Sequence, residues 1–142
     1  MADKHKQKLD RLLRVRTLQL NLVRAGEAAA NAKLDSETAL QTRIRKLADN
    51  VAPRVNDDGY ASNMAAAAYY RDRLHASAVA ADARRAMAEA GVERARAATQ
   101  EARRDQSAIE KLIVRAEAQI ALKELRAMED APSFKRKRHD PC

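Results

Sequence analysis

Residues Ala61–Asp130 read ASNMAAAAYYRDRLHASAVAADARRAMAEAGVERARAATQEARRDQSAIEKLIVRAEAQIALKELRAMED. The stretch has no proline and a single glycine, Gly91, and most of its other residues are strong helix formers. A helix of roughly 70 residues runs about 105 Å, far more than a globular domain needs, which predicts a rod. Stepping by four and then three from Leu74 gives Ala78, Ala81, Arg85, Ala88, Val92, Ala95, Thr99, Ala102, Gln106, Ile109, Ile113, Ala116 and Ile120. A seven-residue repeat that never slips holds one stripe against a partner helix, because an unsupercoiled helix drifts by about 20° per heptad. The seam is largely alanine up to Ala102 and turns to isoleucine beyond it. At about 25 cal/mol per Å² buried, the Ile109–Ile120 part should hold more tightly.

The partner lies upstream in the same chain. A basic arm, residues 1–8, leads into a helix over about 4–51. Its seam reads Leu9, Leu13, Arg16, Leu20, Val23, Glu27, Ala30 and Leu34. After Glu37 the apolar pattern shifts and resumes as Leu40, Ile44, Leu47 and Val51, a stammer that would overwind the coil. Gly26 lies close by, so looser packing or curvature is expected between Gly26 and Glu37. Ala52-Pro53 ends the helix, since the residue before proline avoids helical geometry. Asn56-Asp57-Asp58-Gly59 is a turn signature, which makes 52–60 the turn, with Asp58 or Ser62 as cap. The second helix runs over about 61–130. A short connection folds two long helices back as antiparallel neighbours. The expected fold is all-α: an antiparallel coiled-coil hairpin over 9–130 with a longer second helix, then a basic, disordered tail over 131–142.

The first helix spans roughly 72 Å and the second about 105 Å, so the excess is expected as an unpaired overhang of roughly 30 Å, from Ser107 to Asp130. A second apolar stripe appears there: Val114, Ala118, Ala121, Leu125 and Met128. At 100° per residue it lies well over 90° from the Ile109 seam, and two stripes on one helix imply two partners.

Composition narrows the function. Aromatic residues are 3% of the chain and tryptophan is absent, so the hydrophobic 46% is mainly alanine and aliphatic side chains; a layered globule with a closed pocket is not expected. A charged fraction of 34% suits exposed helices. Net charge +8 favours a polyanionic or acidic partner. The lone cysteine, Cys142, forms no internal disulfide or cysteine-based zinc site. The charged N-terminus shows no signal peptide, and no apolar run is long enough to span a membrane, which points to the cytosol.

Candidate chemistry is sparse. His5, His75 and His139 are scattered without partners at ligand spacing. Asn56–Gly59 lacks the alternate ligands and closing glutamate of a calcium loop. No phosphate loop, nucleophile elbow or HExxH motif is present. The expectation is therefore no catalytic residue, no metal and no cofactor. Arg84-Arg85 and Arg103-Arg104 read as solvated faces with intrahelical partners Asp82, Glu89, Glu101 and Asp105. Tyr69 is expected to pack near the turn. The polar seam residues Arg16, Glu27, Glu37 and Arg85 are expected to set register.

The layout resembles the flagellar export stalk proteins, the FliJ family with its relatives in virulence secretion. The likeness rests on Lys8-Leu9-Asp10-Arg11-Leu12-Leu13-Arg14-Val15-Arg16 after a charged arm. It rests also on the central turn and longer second helix, and on Ala108-Ile109-Glu110-Lys111-Leu112-Ile113-Val114-Arg115-Ala116-Glu117 before a charged tail. The chain departs from many members in lacking tryptophan and in its alanine content. The resemblance implies a non-enzymatic coiled-coil stalk that inserts into a hexameric flagellar export ATPase, stimulates it and links it to the export-gate membrane protein. Some members also bind export chaperones. Such a protein is cytoplasmic and peripheral at the inner membrane face. On this sequence it implies that Leu9–Arg24, paired with Ala108–Met128, enters the ring. The contact residues would be Leu9, Leu13, Arg14, Ile109, Ile113, Val114, Arg115, Ala118 and Leu125. Two other readings of the residues are a basic coiled-coil nucleic-acid-binding protein, without a specific module or interleaved aromatics, and an amphipathic helical granule coat.

Overall fold

The computed structural model describes residues 2–51 and 60–132. It contains two helices, α1 over Ala2–Asp49 and α2 over Tyr60–Glu129. They pack antiparallel as an all-α hairpin whose second helix is the longer, 70 residues against 48. The basic residues 2–8 belong to α1 and are helical. Ser62 is inside the first turn of α2. Pro53, the turn residues 52–59, Asp58 as cap and the tail over 133–142 lie outside the described residues.

Contacts divide the chain into two units, residues 19–103 and residues 1–18 with 104–142. In the first of these, antiparallel register is set by Glu37 with Arg84, at 3.2 Å, by Gln41 and Arg45 on Asp82, and by the Arg71 guanidinium donating to the Val51 carbonyl at 2.8 Å. In the other, Lys6 meets Glu117 at 2.9 Å, Arg16 meets Asp105 at 3.0 Å, and the Gln106 amide donates to the Thr17 hydroxyl at 3.3 Å.

Burial follows the seven-residue rhythm. Every α2 seam position from Leu74 to Ile120 is buried or half-buried. Ala81, Ala88, Val92 and Thr99 are the most enclosed. The Thr99 hydroxyl is satisfied by the Ala95 carbonyl at 3.0 Å, so a polar side chain sits on the seam without an orphaned donor.

In α1 the rhythm corrects the expected stammer. Beyond Leu34 and Glu37 the enclosed positions are Gln41, Ile44, Ala48 and Val51, at unbroken spacing. Gln41 is 5% exposed, whereas Leu40 is 40% and Leu47 52% exposed. The cause is phase. Keeping Leu40 and Leu47 on the seam requires the helix to overwind, while Gln41 fits the undistorted repeat and its amide donates to the Asp82 carboxylate. The ordering can be tested. Gln41→Ala empties an enclosed seam position and removes its hydrogen bond, and should lower the urea midpoint clearly; Leu40→Gln, on the flank, should cost no more than about 0.5 kcal/mol. Urea titration followed by circular dichroism checks this, and the reverse order would restore the stammer.

The overhang is also corrected. Pairing in its unit continues to Lys6–Glu117, and Ile120 is still half-buried. Only from Ala121 onward is every described residue exposed. The excess length of α2 is not all placed there, because Arg71, eleven residues beyond the start of α2, already bonds to Val51, two residues past the end of α1. Register, set by paired side chains, overrides alignment from the turn. Three expected intrahelical pairings change for the same reason: Arg84, Asp82 and Asp105 bond across to α1. Arg85 does keep its partner Glu89, at 2.8 Å. Tyr69 is 59% exposed and carries the Arg73 guanidinium over its ring at 5.8 Å, because it lies two residues past the enclosed Ala67 and off the seam.

Candidate partner surface

The residues that the resemblance sets against a partner fall into two groups, both within the unit formed by residues 1–18 and 104–142. Leu9 is buried, and Leu13, Ile109 and Ile113 are half-buried on the seam. These four hold α1 to α2, and their apolar surface is spent inside the hairpin. Arg14, Val114, Arg115, Ala118 and Leu125 are exposed. Val114 is 64% and Leu125 57% exposed, with Met128 at 76% further along the same stripe.

The reason is periodic. Val114, Ala118 and Leu125 are spaced by four and seven, so they stack on one line of α2. That line is displaced by well over a quarter turn from Ile109, Ile113 and Ile120. Glu110 and Lys111 border it, and Val114 and Arg115 line a shallow groove with Ser107. The surface has an apolar line and mixed charge but no enclosed concavity. Another groove, along Asp35, Thr38, Thr42 and Lys46, follows one face of α1 and is open to solvent. Among the described residues no three His, Cys, Asp or Glu side chains gather as a metal site.

Sequence reasoning missed the exposed aliphatic side chains of α1. Leu12, Val15 and Leu18 are 39%, 50% and 69% exposed. Their signal is a run of aliphatic residues at steps of three, on the face of α1 away from the seam.

The other unit holds the densest polar cluster. Asp82 accepts from Gln41 and from Arg45, at 3.1 Å to the latter. The Gln41 hydrogen bond is the largest effect and holds the Asp82 carboxyl below its ordinary value of 3.8; desolvation opposes it, and the Arg45 charge adds to the lowering. A depressed folded value means the unfolded chain takes up the proton first on acidification. The contribution is therefore complete above pH 3.8 and is lost as pH falls through the folded value. The thermal midpoint should drop below pH 3.8 more steeply in wild type than in Asp82→Asn; equal slopes would show that the pair adds nothing.

No helix of the described residues is long and apolar enough to cross a membrane. The class these features define is an all-α antiparallel two-helix hairpin. No protein-family model matches the chain, and neither does any curated protein or solved structure.

Proposed function

We propose that this chain is a non-enzymatic stalk or adaptor of the flagellar protein export apparatus. It inserts into a hexameric export ATPase, stimulates it, and links it to the export-gate membrane protein from the cytoplasmic side; export chaperones are further partners. One observation carries the reading: α2 has two apolar lines, and the hairpin uses only one. The Ile109–Ile113–Ile120 line is enclosed against α1, while Val114, Ala118 and Leu125 remain open. A helix that served only its own hairpin would have polar residues at those positions. The resemblance in layout supplies the identity of the partner.

The contact residues are thereby narrowed to Arg14, Val114, Arg115, Ala118 and Leu125. Leu9, Leu13, Ile109 and Ile113 act on the hairpin itself. The test is the steady-state ATPase rate of the host's flagellar export ATPase with and without this protein at moderate salt. Stimulation that survives deletion of Ser133–Cys142 supports the stalk. No stimulation and no co-sedimentation with the ring defeats it. The net charge of +8 then favours the nucleic-acid reading, whose mark is affinity falling linearly in log–log plots against salt.

A further inference from the structure

Within the unit formed by residues 1–18 and 104–142, α1 carries a line of residues directly opposite its seam. Lys4, Lys8, Arg11, Val15 and Leu18 follow one another at spacings of four, three, four and three. At 100° per residue they fall within about 80° of arc, on the side away from Leu9, Leu13 and Arg16. All five are exposed. The three cations make no ion pair with any described residue, in contrast to Lys6 and Arg16, which are engaged by Glu117 and Asp105. Arg14 and Leu12 border the line, also exposed. Over residues 4–18 no carboxylate lies on it.

We propose that this line docks α1 lengthwise on an anionic lipid surface, cations toward the headgroups and Val15 and Leu18 seated at the acyl boundary. Binding at a membrane interface grows with buried apolar area and with attraction of cations to anionic headgroups, and this exposed line offers both without a carboxylate. Charge asymmetry within the unit orients it. Glu110, Glu117 and Glu124 of α2 follow the border between Val114 and the seam, and Glu117 is spent on Lys6, whereas the exposed line of α1 carries only cations among its charged residues. A lipid surface is favoured over an acidic protein because it offers continuous negative charge to Lys4, Lys8 and Arg11, whose long side chains reach the headgroups, and an apolar layer to Val15 and Leu18. The inference does not rest on the ATPase reading.

The experiment is co-sedimentation of the full-length chain with phosphatidylcholine vesicles containing a quarter phosphatidylglycerol, against pure phosphatidylcholine. Two variants are compared, Lys4→Gln/Lys8→Gln/Arg11→Gln and Val15→Ser/Leu18→Ser, with circular dichroism in buffer to show that both remain folded. Wild type should bind the anionic vesicles only. At about 1 kcal/mol per basic side chain, the triple variant should partition on the order of 100-fold more weakly. The double variant should lose roughly tenfold or more, since burial of aliphatic side chains is part of the docking. Binding unchanged in the double variant would mean attraction by general basic charge, the Lys135–Arg138 run included, and would overturn the proposal. Failure of wild type to bind anionic vesicles would overturn it too, and would assign the line to an acidic protein face.

Discussion

Val92→Asp is expected to abolish the cooperative thermal transition of the hairpin, while Met87→Asp, five residues earlier on the same helix, leaves the midpoint almost unchanged. Val92 is 2% exposed and Met87 74% exposed. A carboxylate at Val92 enters a seam whose neighbours are Ala88 and Thr99, 6% and 3% exposed. It finds no cation at that place on the line; Arg85, one heptad back, is engaged by Glu89. The desolvation penalty of an unpaired buried charge is several kcal/mol, against a total stability of about 5–15 kcal/mol for a typical domain. A two-helix seam with alanine at most of the central positions of α2 is expected at the low end of that range. The Met87 change is a surface substitution and should stay within about 0.5 kcal/mol. Melting followed at 222 nm separates the two. Equal melting curves would mean that the seam does not run through Val92.

The second large effect concerns function. Val114→Asp with Leu125→Asp should remove stimulation of the export ATPase with helix content and melting unchanged. Both side chains are more than half exposed and neither is on the seam, so the hairpin loses nothing by their replacement. At a partner interface two central aliphatic contacts are worth about 2 kcal/mol each, which puts the loss of apparent affinity on the order of 100-fold or more. Ile113→Asp should also abolish stimulation, but for a different reason: Ile113 is half-buried against α1, and its loss should appear in the melting curve. The contrast separates contact from scaffold. If the Val114/Leu125 variant stimulates as well as wild type, the open stripe of α2 is not the contact surface.

The mechanism that follows from this division is simple. The seam pairs two helices from a chain with few large side chains. In the proposed reading, the open stripe of α2 is the surface that meets the partner. Stimulating a partner then requires only that the surface bind one state of the ring more tightly than another, since a ligand shifts an equilibrium by its differential affinity.

Much of this was legible before any coordinates. The absence of proline over 61–130, and the unbroken four–three rhythm there, are local properties of the chain. They place α2 within a residue of its observed bounds and identify its seam position by position. The first half of α1 was readable for the same reason, because Leu9, Leu13, Leu20 and Leu34 leave one apolar phase in the seam register. The open stripe of α2 was readable because its residues are apolar where a solvated helix has no use for them.

Tertiary structure decided the rest. In the last turns of α1 two phases compete, one through Leu40 and Leu47 and one through Gln41 and Ala48. Ranked by side-chain apolarity the first is preferred, yet the second is the one enclosed. The deciding partner, Asp82, is 41 residues away in the chain and satisfies the Gln41 amide there. Register was likewise invisible. Helix lengths state how much of α2 exceeds α1 but not at which end, and only the pairs Lys6–Glu117 and Glu37–Arg84 settle it. The sequence alone determined the periods, because a period depends on neighbours along one helix. Phase and register were left to the fold, because they depend on which side chains meet across two.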